Sequence, residues 1–341
     1  MNILKSLIFL LLLNFIIFFL NLRCSKSDGK TVVLYTSLDH EFSQPIVNVF
    51  EEKTGIKVKA IYDTESTKTT GLVNRLIAEK NYPQADVFWN NEIVQTIVLK
   101  KKGILQSYIS SSAYDIPQQF KDPDGYWVGF AARARVLIYN TNIVSYQEAP
   151  KSIFDLTNPK WKHKVALANP LFGTTATHMA ALFYLLGEEK AKAYIEELIK
   201  NEIVIVAGNA TSRDQVADGE LSIGFTDTDD ANSAIQDGKP VGIIFPDEEG
   251  IGTLIIPNTI SLIANCSHPK EGKKLIDFIL TPEVEKLLAN SRSVQMPLRS
   301  YIPTPPNVPS ISSIKAMDVD FEKIADVMEI SSNYLQQKFM R

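Results

Sequence analysis

Two lobes of α/β architecture are what this sequence predicts, on three observations. Short β-branched runs alternate with helical stretches, the alternation comes in two successive blocks, and clusters of Thr, Ser and Asp follow directly after several of the strands. Alternation of this kind implies, for each lobe, a mostly parallel sheet with helices on both faces. Open sheets of that type carry their ligand groups at the carboxyl ends of the strands.

The first block opens with Thr31-Val32-Val33-Leu34-Tyr35, a run that reads as a buried strand, ended by Thr36-Ser37. Phe42 to Thr54 reads as an amphipathic helix stopped by Gly55. Ile56 to Tyr62 alternates as a second strand. The hydroxyl-rich stretch Glu65 to Thr70 leads to a helix through Asn74 to Lys80, and Ala85 to Trp89 is the third strand, with Asn90-Asn91-Glu92 at its carboxyl end.

In the second block, Arg135 to Tyr139 and Lys164 to Ala168 are strands. Gly173 opens a long helix to Leu186, and Glu188 to Lys200 is another. The strand Ile203 to Val206 and the apolar run Leu221 to Phe225 follow. Thr259 to Ile263 reads as one more buried strand after that block is complete, so the chain is expected to return to the first lobe. The expected division is 31–130 with 258–300 for lobe 1 and 131–257 for lobe 2, with crossings at Pro257-Asn258 and just before Arg135. Beyond Pro303-Thr304-Pro305-Pro306, residues 301–341 are expected to form a C-terminal helical segment, with a helix or helix pair from Ile314 to Met340.

Residues 1–24 have the order of a secretory signal: Lys5 in a charged start, an apolar stretch from Ser6 to Leu20, then polar residues from Ser25. The apolar stretch is marginal for a membrane span, which needs about 20 residues. Cys24 sits where a lipoprotein signal places its lipidated cysteine, although Arg23 stands where such signals carry a small residue. After the signal only Cys266 remains, so the core rests on burial rather than on a disulfide. A net charge of -4 and a pI near 5.7 exclude the basic stripe of a general nucleic-acid binder.

The densest polar stretch is "GFTDTDDA", Gly224 to Ala231, with hydroxyls at Thr226 and Thr228 and carboxylates at Asp227, Asp229 and Asp230. A calcium loop is excluded, because Ala231 stands at a ligand position, Asn232 at the turn glycine and Gly238 at the closing glutamate. A secreted phosphohydrolase with an aspartyl nucleophile at Asp227 or Asp229 would use the same spacing, but that motif opens its domain whereas this one comes late. The plain alternative is that Asp227 or Asp229 caps a helix starting near Asp230.

Three other loops offer hydroxyls beside helix starts: Thr36-Ser37, Ser66-Thr67, and Thr174-Thr175 after Gly173. Free N–H groups and the helix dipole make such positions anion sites, and N-capping uses the same residue types. Arg133 and Arg135 flank Ala134, so strand alternation places both on one face, where they need an anionic partner. The four histidines show no paired metal spacing, and no catalytic set assembles.

Read in order, "FEEKTGIKV", "ADVFW", "GFAARARVLIYN", "PKWKHKVALANP" and "GELSIGFTD" resemble the extracellular solute-binding proteins of bacterial ABC importers, in their ferric-iron-binding branch. The resemblance covers Thr31 to Leu298. It implies a type II periplasmic-binding-protein fold that closes on a ligand between its lobes, a monomer outside the cytoplasmic membrane, and delivery to a permease. No enzymatic cofactor is implied, only iron(III) as cargo. The family's ligand histidine falls on Asp39, its glutamate on Asn91 with Glu92 adjacent, and its two tyrosines on Thr228 and Asp229. Its anion contacts fall on Gly173 to Thr175 and Asn209.

Physical chemistry leaves two ligand readings. Asp39, Glu92, Asp227 and Asp229 would offer hard oxygens to ferric iron or a similar cation, facing one another across the cleft. Alternatively Arg133, Arg135 and the hydroxyls, Thr226 and Thr228 included, would hold a small phosphonate, phosphate ester or carboxylate. Iron transport is the role the resemblance favours.

Overall fold

The computed structural model describes residues 30–63, 69–306 and 308–339. The signal read at 1–24, with Cys24, and the hydroxyls Ser66 and Thr67 lie outside the described residues. No helix among them is long and apolar enough to cross a membrane.

The α/β alternation read from the sequence is the one observed. The strands are β1 (Thr31–Thr36), β2 (Lys57–Tyr62), β3 (Val87–Asn90), β4 (Leu105–Gln106), β5 (Val128–Asn140), β6 (Val165–Ala168), β7 (Val204–Val206), β8 (Ile223–Asp227), β9 (Val241–Ile244) and β10 (Ile255–Ile263). Interleaved with them are helices α1 (His40–Thr54), α2 (Thr70–Ala78), α3 (Val94–Lys101), α4 (Gly173–Leu186), α5 (Glu188–Lys200), α6 (Asn209–Ala217) and α7 (Thr228–Gln236). After β10 come α8 (Pro269–Ile279), α9 (Pro282–Ala289) and α10 (Phe321–Phe339). Their ends follow local chemistry. Gly55 closes α1 in the left-handed region, φ 68°, and donates to the Glu51 carbonyl. Prolines open α8 and α9, where a missing N–H costs no helical bond.

The strands run β2-β1-β3-β10-β5-β8-β6-β7, with β4 added on β10 and β9 on β5. Adjacent pairs within β2-β1-β3 and β8-β6-β7 are parallel. The sheet as a whole is mixed, because the long strands β5 and β10 run antiparallel to their neighbours. β5 is shared: its first half pairs with β10, and its second half pairs with β8 and β9.

Three apolar clusters fill the described part of the molecule. One is centred on β1, β3 and α1, with Phe50 and Trp89, and extends across the shared strands. A second lies under β6 and β8, with Trp161, Leu182 and Phe225. The third joins Ile93, Val94 and Ile97 beside β3 to Ala176 and Ala180 of α4, and α10 covers both with Ile324, Ala325 and Met328. Lys101 pairs with Asp326 at 2.6 Å and Tyr334 donates to Glu196 at 2.7 Å, so α10 is tied to α3 and to α5. Among the described residues of the tail, helix is confined to 321–339, apart from one short turn at Ile311–Ser313. The expectation of helix from Ile314 is corrected: this stretch leaves the turn extended, and Thr253 donates to the Lys315 carbonyl while Met317 donates to that of Thr253.

Candidate functional site

The parallel strands β7, β6 and β8 end on one edge of the sheet, and each leads into a helix: α6, α4 and α7 respectively. Three helix N-termini therefore converge on one cavity, an arrangement that favours negative charge. Its walls are Ala168, Asn169 and Phe172 to Thr175, Ala207 to Asn209, and Asp227, Asp229 and Asp230, with Arg133 from β5 and Asn91 just beyond β3. Gly173 has φ 53°, a left-handed turn that lets the chain swing from β6 into α4 without a Cβ clash.

Arg135 organises the floor. Its Nη1 donates to Asp227 Oδ1 at 2.6 Å, Asn209 Oδ1 at 3.0 Å and Thr174 Oγ1 at 3.1 Å, and its Nη2 donates to Thr175 Oγ1 at 3.1 Å. The guanidinium lies over the Phe225 ring, 4.3 Å from its centre. Thr174 and Asn209 also donate to Asp227 Oδ2, at 2.8 and 3.1 Å. Arg133 reaches Asp227 at 3.4 Å and Asp229 at 3.3 Å, and its other nitrogen donates to the Asn91 carbonyl beyond β3. The two arginines do share one face, as alternation required.

Burial would push the Asp227 carboxyl up, but Arg135 and Arg133 beside it reverse that and hold it below the usual carboxylate range. For Arg133 burial disfavours the charge, and Asp229 and Asp227 more than restore it. Asp230 meets Arg213 at 3.5 Å. Three carboxylates thus stand against three guanidiniums, and the site is close to neutral as a whole. Oxygens of Asp227, Asp229 and Asp230 lie within 4.8 Å of one another, the separation a shared cation requires.

The four carboxylates expected to face one another do not form one set. Asp227 and Asp229 come together, with Asp230. Glu92 is wholly buried, and burial raises its pKa. It accepts from the Val94 and Gln95 N–H groups at 2.8 Å each, which satisfies the start of α3, and from Thr177 Oγ1 of α4 at 2.6 Å. Asp39 sits at the N-cap of α1 without a side-chain cap bond and lines no part of the cavity. Thr36 and Ser37 turn inward: Thr36 accepts from the Leu38 N–H, and Ser37 binds Asn90 and Asn91. Thr226 donates to the Asn209 carbonyl at 3.2 Å, and Thr228 accepts from the Ala134 N–H at 3.1 Å, so both brace the floor.

The capping alternative is half right. Asp227 occupies the N-cap position of α7, yet its side chain makes no cap bond because the arginines take it. Sequence reasoning passed over Asn91, the position where the family's glutamate falls, in favour of Glu92, although it is Asn91 that lines the cavity, and it missed His178 beneath. His178 is buried edge-on to Phe225, and burial, aided by Arg135, pulls its pKa down to about 3. An isolated histidine on a helix gives no signal of that kind in one sequence.

Fold and site together define a binder: an α/β molecule with a polar, helix-flanked cavity beneath its shared strands. Residues 46–322 match the family described as "Bacterial extracellular solute-binding protein", and the chain belongs to it. The iron uptake protein A1 of Synechocystis sp. is 25% identical over 325 residues, 92% of this chain and 88% of that one. Iron-bound HitA from Pseudomonas aeruginosa superposes with a TM-score of 0.81 at 21% identity, covering 90% of this chain and 99% of its own. AfuA from Actinobacillus pleuropneumoniae, with fructose-6-phosphate bound, gives 0.82 at 23%, covering 92% and 99%.

Proposed function

We propose that this protein is the extracytoplasmic capture component of an ABC importer. It takes a small solute into the cavity between two lobes, 31–130 with 258–300 and 131–257, and presents the closed form to a permease. It works as a monomer and without catalysis. Its cargo is ferric iron accompanied by a small oxyanion. The observation that supports this most is that a three-carboxylate cluster and three helix N-termini face one cavity. The carboxylates suit a hard cation and the N-termini suit its anion, and an iron uptake protein is among the relatives. Thr228 and Asp229 stand where the ferric-binding pattern has tyrosines, so aspartate oxygens replace phenolates in this reading.

A second reading, a metal-free organic anion, is favoured by one contact: Arg133 already lies between Asp227 and Asp229, where a cation would sit. AfuA, with its sugar phosphate, has the same fold. Calorimetry with ferric citrate, citrate alone and inorganic phosphate separates the two. The iron reading predicts that ferric citrate binds far more tightly than citrate, and that Asp229→Asn weakens it by more than about tenfold, 1.4 kcal/mol. Equal binding of ferric citrate by variant and parent, or anion binding that iron does not strengthen, transfers the assignment to the organic anion.

A further inference from the structure

The cavity arginines owe their aim to a break in the strand that carries them. Along β5 and β10 the register pairs Arg133 with Ile256 and Ala132 with Pro257, then Phe130 with Asn258. One residue, Ala131, is left without a partner strand position, which makes it a β-bulge. Residues paired across a sheet share a face, and Pro257 and Asn258 are consecutive, so Phe130 and Ala132 lie on opposite faces. The bulge therefore reverses the alternation just before Arg133 and Arg135. Without it both guanidiniums would leave the cavity face.

The bulge is an unfavourable conformation for its residue. Ala131 is fully buried with φ 41°, a left-handed backbone that side-chain-bearing residues avoid. What holds it comes from far along the chain. Its N–H donates to Glu285 Oε1 of α9 at 3.0 Å, and its carbonyl accepts from Asn258 Nδ2 at 3.1 Å. Asn258 is fixed in turn by Gln295 at 2.6 Å, and Ala132 exchanges both backbone bonds with Met296 at 2.7 and 2.8 Å. Glu285 is itself wholly buried, locked by Arg299 at 2.8 Å and by the Leu298 N–H at 2.9 Å.

We propose that Glu285 is a positioning residue for solute capture: by holding the Ala131 bulge it aims Arg133 into the cavity and Arg135 onto the residues that line it, without touching the cavity itself. The proposal rests on the binding reading above for its functional half, while its structural half stands alone. The test uses the full chain in three forms: parent, Glu285→Ala, and Glu285→Ala with Ala131→Gly. Glycine adopts a left-handed φ freely, so it lets the bulge persist without its clamp. Two readouts are taken: hydrogen exchange of the amides in 128–136, and retained solute by native mass spectrometry.

Glu285→Ala is expected to speed exchange in 128–136 at least tenfold and to lower the solute-retaining fraction, and the added glycine is expected to recover both. A merely structural role predicts the reverse for the second step, since glycine in a strand weakens it further. Unchanged exchange in Glu285→Ala, or no recovery with glycine, overturns the proposal. Recovery of exchange without recovery of retained solute leaves the clamp standing and sinks its link to capture. If Glu285→Ala fails to fold, Gln295→Ala loosens Asn258 from the same bulge, and the glycine rescue is read on that variant with the same two outcomes.

Discussion

At the scale of single residues, His178 offers the cleanest prediction. Its ring is buried with neither nitrogen hydrogen-bonded, and its folded pKa of about 3 lies below the usual 6.5. The sign follows from linkage: a histidine held neutral contributes stability that is complete above about pH 6.5 and is lost as pH falls toward its folded value. Between pH 6.5 and 4 the loss is about 3 kcal/mol, at about 1.4 kcal/mol per pH unit. His178→Phe keeps the contact with Phe225 and removes the titration. Unfolding free energies from urea titrations at pH 4 and pH 7 are expected to converge in the variant by about that amount, and an identical pH slope in variant and parent refutes the assignment. The same scale shows what a sequence conveys well. Arg133, Arg135, Thr174, Thr175 and Asp227 were legible because period, charge and position after a strand all pointed the same way. Glu92 misled because a carboxylate after a strand serves a cation or a helix start equally well, and only the three-dimensional partners decide.

At the scale of elements, β5 was the hardest to read. Five residues, Arg135 to Tyr139, carried a strand pattern, yet the strand runs thirteen, Val128–Asn140, and every residue is buried. Its first half, Val128 to Ala134, reads poorly because Gly129 and three alanines carry little β-propensity, Arg133 interrupts the apolar run, and the bulge at Ala131 breaks the alternation itself. Helices α4 and α5 were legible to the residue, since their starts and stops carry local signals. The role of α10 was not, because a strap declares itself only through what it touches. Ile324, fully buried, sits where α3, α4 and α10 meet. Ile324→Ala is expected to cost about 2–5 kcal/mol by cavity formation, checked by urea denaturation. A loss below about 1 kcal/mol contradicts the packing of α10 across both halves.

At the scale of the molecule, two elements span what we read as lobes: β5, whose halves pair with different neighbours, and α10, which covers α3 and α4 together. Between them the cavity joins Asn91 from one side to Arg133, Asp227 and Asp229 from the other. The strand-helix alternation was enough to find the fold class. It could not reveal that the long strands run antiparallel through the middle, because antiparallel pairing at such distance leaves no local mark. Capture in this cavity is the central claim, and Thr174 is the place to test it. Its hydroxyl touches Arg135, Asn209 and Asp227, and valine preserves its shape. Native mass spectrometry of the protein purified from its own cells, parent beside Thr174→Val, measures retained solute directly. The account predicts a small non-covalent adduct on the parent that is largely lost from the variant at equal folded yield; an adduct retained equally by both would contradict it.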